Sequence, residues 1–247
     1  KIRKAISYSI DREEMIDAVY GRYNPAYSYV APAITFNGSS YRSQVGEVIE
    51  DEYNEYVGDP DKIVALFQEG LDELGVETPI EDITLTYLTS GSTTEVQAER
   101  EYIQQSLEET LGLTVELSVA GDSSLFIADR NEGNYDFFLG GWYSDYNDPL
   151  DFLYTNYTDA YGMSFGGYSN TDYDALADQL VGETDMDKRL DIYKQMEQIL
   201  LLDDCAFAPI YYATKQVLLQ NWVKDYRTSS FGASAEFIWT YIDGKNQ

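Results

Sequence analysis

Helical and extended hydrophobic periods alternate along most of the chain. Ile2, Ala5, Ile6 and Ile10 fall on one side of a helix already under way at the first residues. Asp11-Arg12-Glu13-Glu14 predicts a second start: the Asp11 carboxylate can accept an early backbone N–H, and Glu14 takes the reciprocal position three residues on. Met15, Ile16 and Val19 supply an apolar stripe, and Gly21 is placed to end it as a left-handed cap. From Tyr23 to Tyr56 no period holds, and Pro25, Pro32, Gly38, Gly46 and many tyrosines predict a long irregular segment.

Asp59-Pro60 predicts the next helix start, because proline in a first turn lacks only an N–H that would be unpaired anyway. Ile63, Leu66, Phe67, Leu71 and Leu74 recur at helical spacing up to Gly75. A strand over 83–88 follows, with Ile83, Leu85 and Tyr87 on one face, then a loop at Thr89-Ser90-Gly91-Ser92. A helix through Val96, Ile103, Leu107 and Leu111 leads to a strand on Val115, Leu117 and Val119. A short helix around Leu125-Phe126-Ile127 precedes a third strand over 135–139. This order, joined by right-handed crossovers, predicts an α/β fold with an open, mostly parallel sheet flanked by helices. Further on, Asn170 starts a helix through Tyr173, Leu176 and Leu180, and Leu190, Tyr193, Met196 and Leu200 mark another. Residues 209–213 and 216–219 read as strands, and the remainder as loop with aromatics.

Composition narrows the function. With 16 Lys+Arg against 44 Asp+Glu in 247 residues, the formal charge is −28. A nucleic-acid binder needs a basic face to displace counterions, so no nucleic-acid partner is expected, and anionic lipid headgroups are equally unsuited. No run of about 18 apolar residues exists to span a bilayer. There is no His, hence no Ser-His-Asp triad and no imidazole metal site. Cys205 alone makes neither an internal disulfide nor a thiolate zinc cluster, and is expected to be a small buried apolar residue. No cofactor or metal is expected. The opening inside a helical pattern, without initiator Met or signal peptide, reads as a piece of a longer protein.

Ligands of open α/β sheets bind beyond the carboxyl ends of the strands. After the third strand that place is held by Gly140-Gly141-Trp142-Tyr143-Ser144-Asp145-Tyr146-Asn147-Asp148-Pro149. The two glycines let backbone approach a ligand closely, Trp142, Tyr143 and Tyr146 offer flat amphipathic area, and Asp145 suits an ammonium group. The bland alternative is that Asp145 caps a turn and Asp148-Pro149 begins the following helix. Thr89 and Ser90, at the end of the first sheet strand, would add to the crevice wall.

Residues Arg3-Lys4-Ala5-Ile6-Ser7-Tyr8-Ser9-Ile10-Asp11-Arg12-Glu13 resemble a helix of the extracytoplasmic peptide-binding proteins that feed ABC importers, the oligopeptide, dipeptide and nickel group. Gly141 to Leu150 resembles the central loop of that family, Tyr168 to Leu176 its asparagine-led helix, and Arg189 to Leu200 with Ala208-Pro209-Ile210-Tyr211 its closing helix and return strand. The resemblance implies a periplasmic-binding-protein-like lobe that closes on its ligand like a clamp. Residues 1–208 would be the carboxyl-terminal, ligand-binding lobe, and 209–247 a return segment belonging to an amino-terminal lobe otherwise missing. It implies a non-enzymatic, extracytoplasmic lipoprotein, monomeric, that binds peptides and delivers them to an ABC permease. By the resemblance, Asp145 would pair with the α-ammonium and Gly141, Trp142 and Tyr143 would lie beside the peptide backbone; the whole loop from Gly140 to Tyr146, Ser144 included, is expected to pair with that backbone. Some members carry an arginine for a short peptide's carboxylate where this chain has Leu139, which argues against a tripeptide specialist.

Other readings remain open on residues alone. A glycoside hydrolase would pair Asp145 with Asp148, or Asp136 with either. A sugar-binding relative would stack its ligand on Trp142, Tyr143 and Tyr146. Calcium at Asp145-Tyr146-Asn147-Asp148 is disfavoured because Pro149 and Leu150 stand where a ligand and a glycine are needed. Nickel or haem transport lacks a soft or imidazole ligand.

Overall fold

The computed structural model describes residues 1–158, 167–233 and 235–245. Helix α1 (Ile2–Tyr8) leads to α2 (Arg12–Met15), which runs on into a wider turn, Ile16–Tyr20. Asp11 caps α2 by accepting the Glu14 N–H at 3.0 Å, and Gly21 closes the turn with a left-handed backbone, both as the pattern predicts.

The segment expected to be irregular holds three short strands, β1 (Asn24–Pro25), β2 (Thr35–Phe36) and β3 (Ser39–Ser40), and two helices, α3 (Tyr41–Val45) and α4 (Glu50–Tyr56). These helices correct the expectation. At five and seven residues they are too short to show a period, and buried Tyr41 and Tyr53 anchor them instead of an aliphatic stripe. Helix α5 (Pro60–Leu74) has the predicted ends: Asp59 caps it, Pro60 fills its first turn, and Gly75 is left-handed.

Strand β4 (Thr84–Ser90), helix α6 (Thr94–Leu111), strand β5 (Thr114–Ala120), helix α7 (Ser123–Glu132) and strand β6 (Phe137–Phe138) build the expected parallel sheet. β4 is central, with β5 and β6 parallel on either side; Tyr87 pairs with Phe137 and Leu88 with Phe138. β6 is shorter than the predicted 135–139. The Asp136 side chain accepts the Thr86 N–H at 2.7 Å, and a side chain in place of a carbonyl ends the ladder there.

Among the described residues, two apolar interiors form. One packs Ile63, Phe67, Leu107 and Val115 with Tyr87 between the sheet and helices α1, α5 and α6. The other packs Val30, Ile34 and Tyr41 against α8 (Leu150–Leu153), α9 (Thr171–Gln179) and α10 (Met186–Gln198). Tyr27 touches both. Asn170 caps α9 by accepting two N–H groups while its amide donates to Asp204 at 2.7 Å, which accounts for an asparagine at that start. Cys205 is buried, and burial pushes its thiol pKa up.

Strand β7 (Tyr211–Tyr212) pairs antiparallel with β1. The second strand expected over 216–219 is absent: that stretch has no strand partner among the described residues, and Leu218 is fully exposed. A run of apolar residues makes a strand only where a neighbouring backbone accepts the ladder. A small ribbon of β8 (Val223–Lys224) and β9 (Tyr241–Ile242) follows.

Glu99 on α6 is buried, accepting the Tyr20 hydroxyl at 2.5 Å and the Tyr211 hydroxyl at 2.8 Å. Among the described residues no Lys or Arg pairs with it. Burial raises its carboxyl pKa, and the two phenols oppose that only in part. A raised acid binds its proton more tightly folded than unfolded, so its contribution is most favourable at acid pH and is lost as pH rises through the raised value. Glu99→Gln is therefore expected to melt above wild type at pH 8, the difference closing toward pH 4. Thermal melts of both proteins across that range check it; a glutamine variant less stable at pH 8 would contradict it.

Candidate functional site

The sheet delivers two backbone segments to one edge. Leu88 and Phe138 are paired, so Ser90 and Gly140 each lie two residues beyond that pair at the carboxyl ends of β4 and β6. Thr89 is buried and Ser90 half-buried there, and the adjoining Gly91 carbonyl accepts from Arg100 at 3.3 Å.

Gly140 and Gly141 are exposed and border a cavity of about 460 Å³ whose apolar walls include Ile6, Ile10, Tyr87 and Phe207. A Cβ on Gly140 would stand 3.0 Å from the Phe138 ring, whereas one on Gly141 would meet nothing within 4 Å. Gly141 thus presents open backbone, while Gly140 is held tight to the strand below. Trp142 to Tyr146, Thr89 and Ser90 do not line this cavity.

Beyond the glycines the loop folds onto a residue that sequence reasoning missed. The Trp142 indole N–H donates to Asp151 Oδ2 at 2.9 Å, and the Asp145 backbone N–H donates to the same oxygen at 3.0 Å. Asp151 is buried in α8 between Leu150 and Phe152, and Trp142, half-buried, packs against the second interior. A charged residue inside the short apolar run 150–153 was the available signal. Ser144 is buried; its hydroxyl donates to the Tyr146 carbonyl, and its own carbonyl accepts the Gly232 N–H at 2.7 Å. Asn147 exchanges two hydrogen bonds with Thr35 of β2, at 2.8 and 2.6 Å.

The carboxylates divide by role. Asp148 accepts the Leu150 N–H at 2.9 Å and the Tyr193 hydroxyl at 2.8 Å, so it begins the following helix as the bland alternative expects. Asp136 is committed to Thr86. Asp145 differs: it is exposed, and among the described residues its carboxylate has no hydrogen bond and no cation. Tyr143 and Tyr146 stand exposed on either side of it in the chain. Burial, and then the charges of Asp151, Asp148 and Asp145, raise the Tyr146 phenol pKa, which marks the loop as electronegative. Such a surface attracts a cationic group and supplies one uncommitted carboxylate to receive it.

Comparison with known proteins bears on the fold and the family. The model of bacterial extracellular solute-binding proteins, family 5 Middle, matches residues 1–164. The dipeptide-binding protein DppE of Bacillus subtilis is 31% identical over 222 residues, 89% of this chain and 38% of its own length. OppA of Listeria monocytogenes, solved bound to peptide, is 31% identical and superposes with a TM-score of 0.77 over 98% of this chain and 44% of its own. The substrate-binding domain of an oligopeptide ABC transporter from Bacillus anthracis gives 0.82 over 98% of this chain and 45% of its own, at 23% identity, a likeness of fold. The chain spans less than half the length of these relatives. From the capped helix at Asp11 to the loop carrying Asp145, the sheet and its carboxyl-edge segments lie within the matched stretch, and the chain belongs to the bacterial extracellular solute-binding proteins of family 5.

Proposed function

We propose that this chain is the ligand-facing part of a non-catalytic binding protein that captures peptides outside the cell for an ABC permease. One observation carries the reading: an exposed carboxylate, Asp145, without a cation among the described residues, on a loop whose glycines open backbone at the carboxyl edge of a parallel sheet. Asp145 holds the peptide's ammonium, and the backbone from Gly140 to Tyr146 runs beside the peptide main chain, giving affinity without reading sequence. Trp142 and Ser144 contribute through that backbone, since their side chains are engaged within the protein. Thr89 and Ser90, at the carboxyl end of β4, add to the crevice wall outside the cavity that Gly140 and Gly141 border. The names of DppE and of peptide-bound OppA support this class of ligand.

Capture works by closure of two lobes, the ligand stabilising the closed state through its greater affinity for it. Residues 1–208 make up the carboxyl-terminal lobe; 209–247 begin with β7, still paired with β1, and then run on to belong with an amino-terminal lobe. Two observations favour this: the relatives are more than twice as long, and Leu218, Phe237, Ile238, Trp239 and Ile242 expose apolar surface that such a lobe would cover. The whole protein acts as a monomer held at the cell surface by a lipid anchor.

Calorimetry on the full-length protein tests the reading. A peptide with a free amino terminus is expected to bind roughly tenfold or more tighter than its N-acetylated form, and Asp145→Asn to remove that advantage. Equal binding of both peptides by wild type, or binding of a glycoside instead, would refute it.

A further inference from the structure

We propose that Asp151 is a positioning residue for peptide capture, fixing the turn from Trp142 to Asp145 so that the Asp145 carboxylate faces outward; this rests on the peptide-binding reading. Both ends of that turn hang on one atom, Oδ2, through the Trp142 indole N–H at 2.9 Å and the Asp145 N–H at 3.0 Å. The base beneath is rigid. Asp151 sits in α8 beside Phe152 and Leu153, both deep in the second interior, and its own N–H donates to the Asp148 carbonyl at 3.1 Å.

The consequence for the ligand is directional. The Asp145 amide is drawn inward by a buried carboxylate, while its side chain is exposed and has no partner among the described residues. Without the acceptor, Trp142 and the Asp145 amide lose their common anchor, and the backbone that carries the carboxylate is no longer fixed. Preorganising a charged contact spares that ordering at the moment of binding. Asp151 touches no ligand in this scheme and acts mainly through Asp145, with a smaller share through the Trp142 backbone it anchors.

The experiment measures peptide affinity in the full-length protein as a cycle of ligand and variant. Asp151→Ala is expected to weaken a free-amine peptide about tenfold and its N-acetylated form little. Asp151→Asn, which keeps an oxygen acceptor for both donors, is expected to restore most of the loss. Asp151→Ala combined with Asp145→Asn is expected to bind little worse than Asp145→Asn alone. The proposal is overturned if Asp151→Ala retains wild-type discrimination, or if it weakens both peptides equally and adds fully to Asp145→Asn. Should the alanine variant not fold, Asp151→Glu keeps the charge but shifts the acceptor by one methylene, and the same loss of discrimination is expected of it. A wild type that does not distinguish the two peptides refutes peptide capture itself, an outcome separate from failure of the Asp151 variants.

Discussion

Replacing Arg12 with methionine is expected to destabilise the chain by about 4 kcal/mol or more, seen as a lower urea midpoint with little change in slope. Arg12 is fully buried with no acidic partner among the described residues. Its guanidinium donates to the carbonyls of Pro209 at 2.7 Å, Ala26 at 3.1 Å and Ser7 at 3.2 Å, and to the Ser7 hydroxyl at 3.0 Å. It also stacks 4.3 Å from the centre of the Tyr53 ring. Carbonyl dipoles and aromatic faces thus neutralise the charge, and burial lowers the guanidinium pKa without an opposing carboxylate. Methionine would fill the volume and leave those carbonyls dry and unpaired, each costing on the order of 1–3 kcal/mol. A variant within 1 kcal/mol of wild type would show that water or a shifted backbone takes over.

The second large effect is expected at Glu197, whose removal strands a buried cation. Both Glu197 oxygens lie 2.7 Å from Arg42 Nη2, and they also accept the Tyr41 hydroxyl at 3.0 Å and the Val30 N–H at 3.1 Å. These bonds tie the segment from Val30 to Arg42 to helix α10. Glu197→Ala is expected to cost about 3–5 kcal/mol, because Arg42 then keeps its desolvation penalty with only carbonyls to offset it. The double change Glu197→Leu with Arg42→Met is expected to recover much of that loss, since a well-packed apolar pair avoids the penalty. Urea unfolding of the single and double variants decides; a double variant no better than Glu197→Ala would mean the bonds to Val30 and Tyr41 matter more than the charge.

Legibility in the sequence followed the range of the interactions. α5 was readable end to end because its determinants are local: a capping Asp59, Pro60 in the first turn, a stripe from Ile63 to Leu71, and Gly75. The sheet was readable because β4 and β5 are long enough to alternate. α3 and α4 were not, since one or two turns carry no period and their anchors, Tyr41 and Tyr53, reach partners far along the chain, Glu197 among them. The strand expected over 216–219 failed for the converse reason: the apolar run Val217-Leu218-Leu219 was present, but among the described residues no neighbouring strand pairs with it. At the site, the loop from Gly140 to Asp145 was found from its residue types and its place after a strand. Its internal support was not, because Trp142 and Asp151 meet across a turn whose shape no spacing rule gives. Asn147 and Thr35, 112 residues apart, were further still from local reasoning.

The two apolar interiors give the glycine pair a mechanical meaning. Leu139 packs with the sheet, and Trp142 packs with the α8–α10 helices, so the chain crosses from one body of side chains to the other within Gly140-Gly141. Those two residues have no side chain to root them in either. At this crossing, shear of one interior against the other falls on their backbone torsions, which makes it a compliant joint, whereas Tyr27, packed against both interiors, ties them together elsewhere.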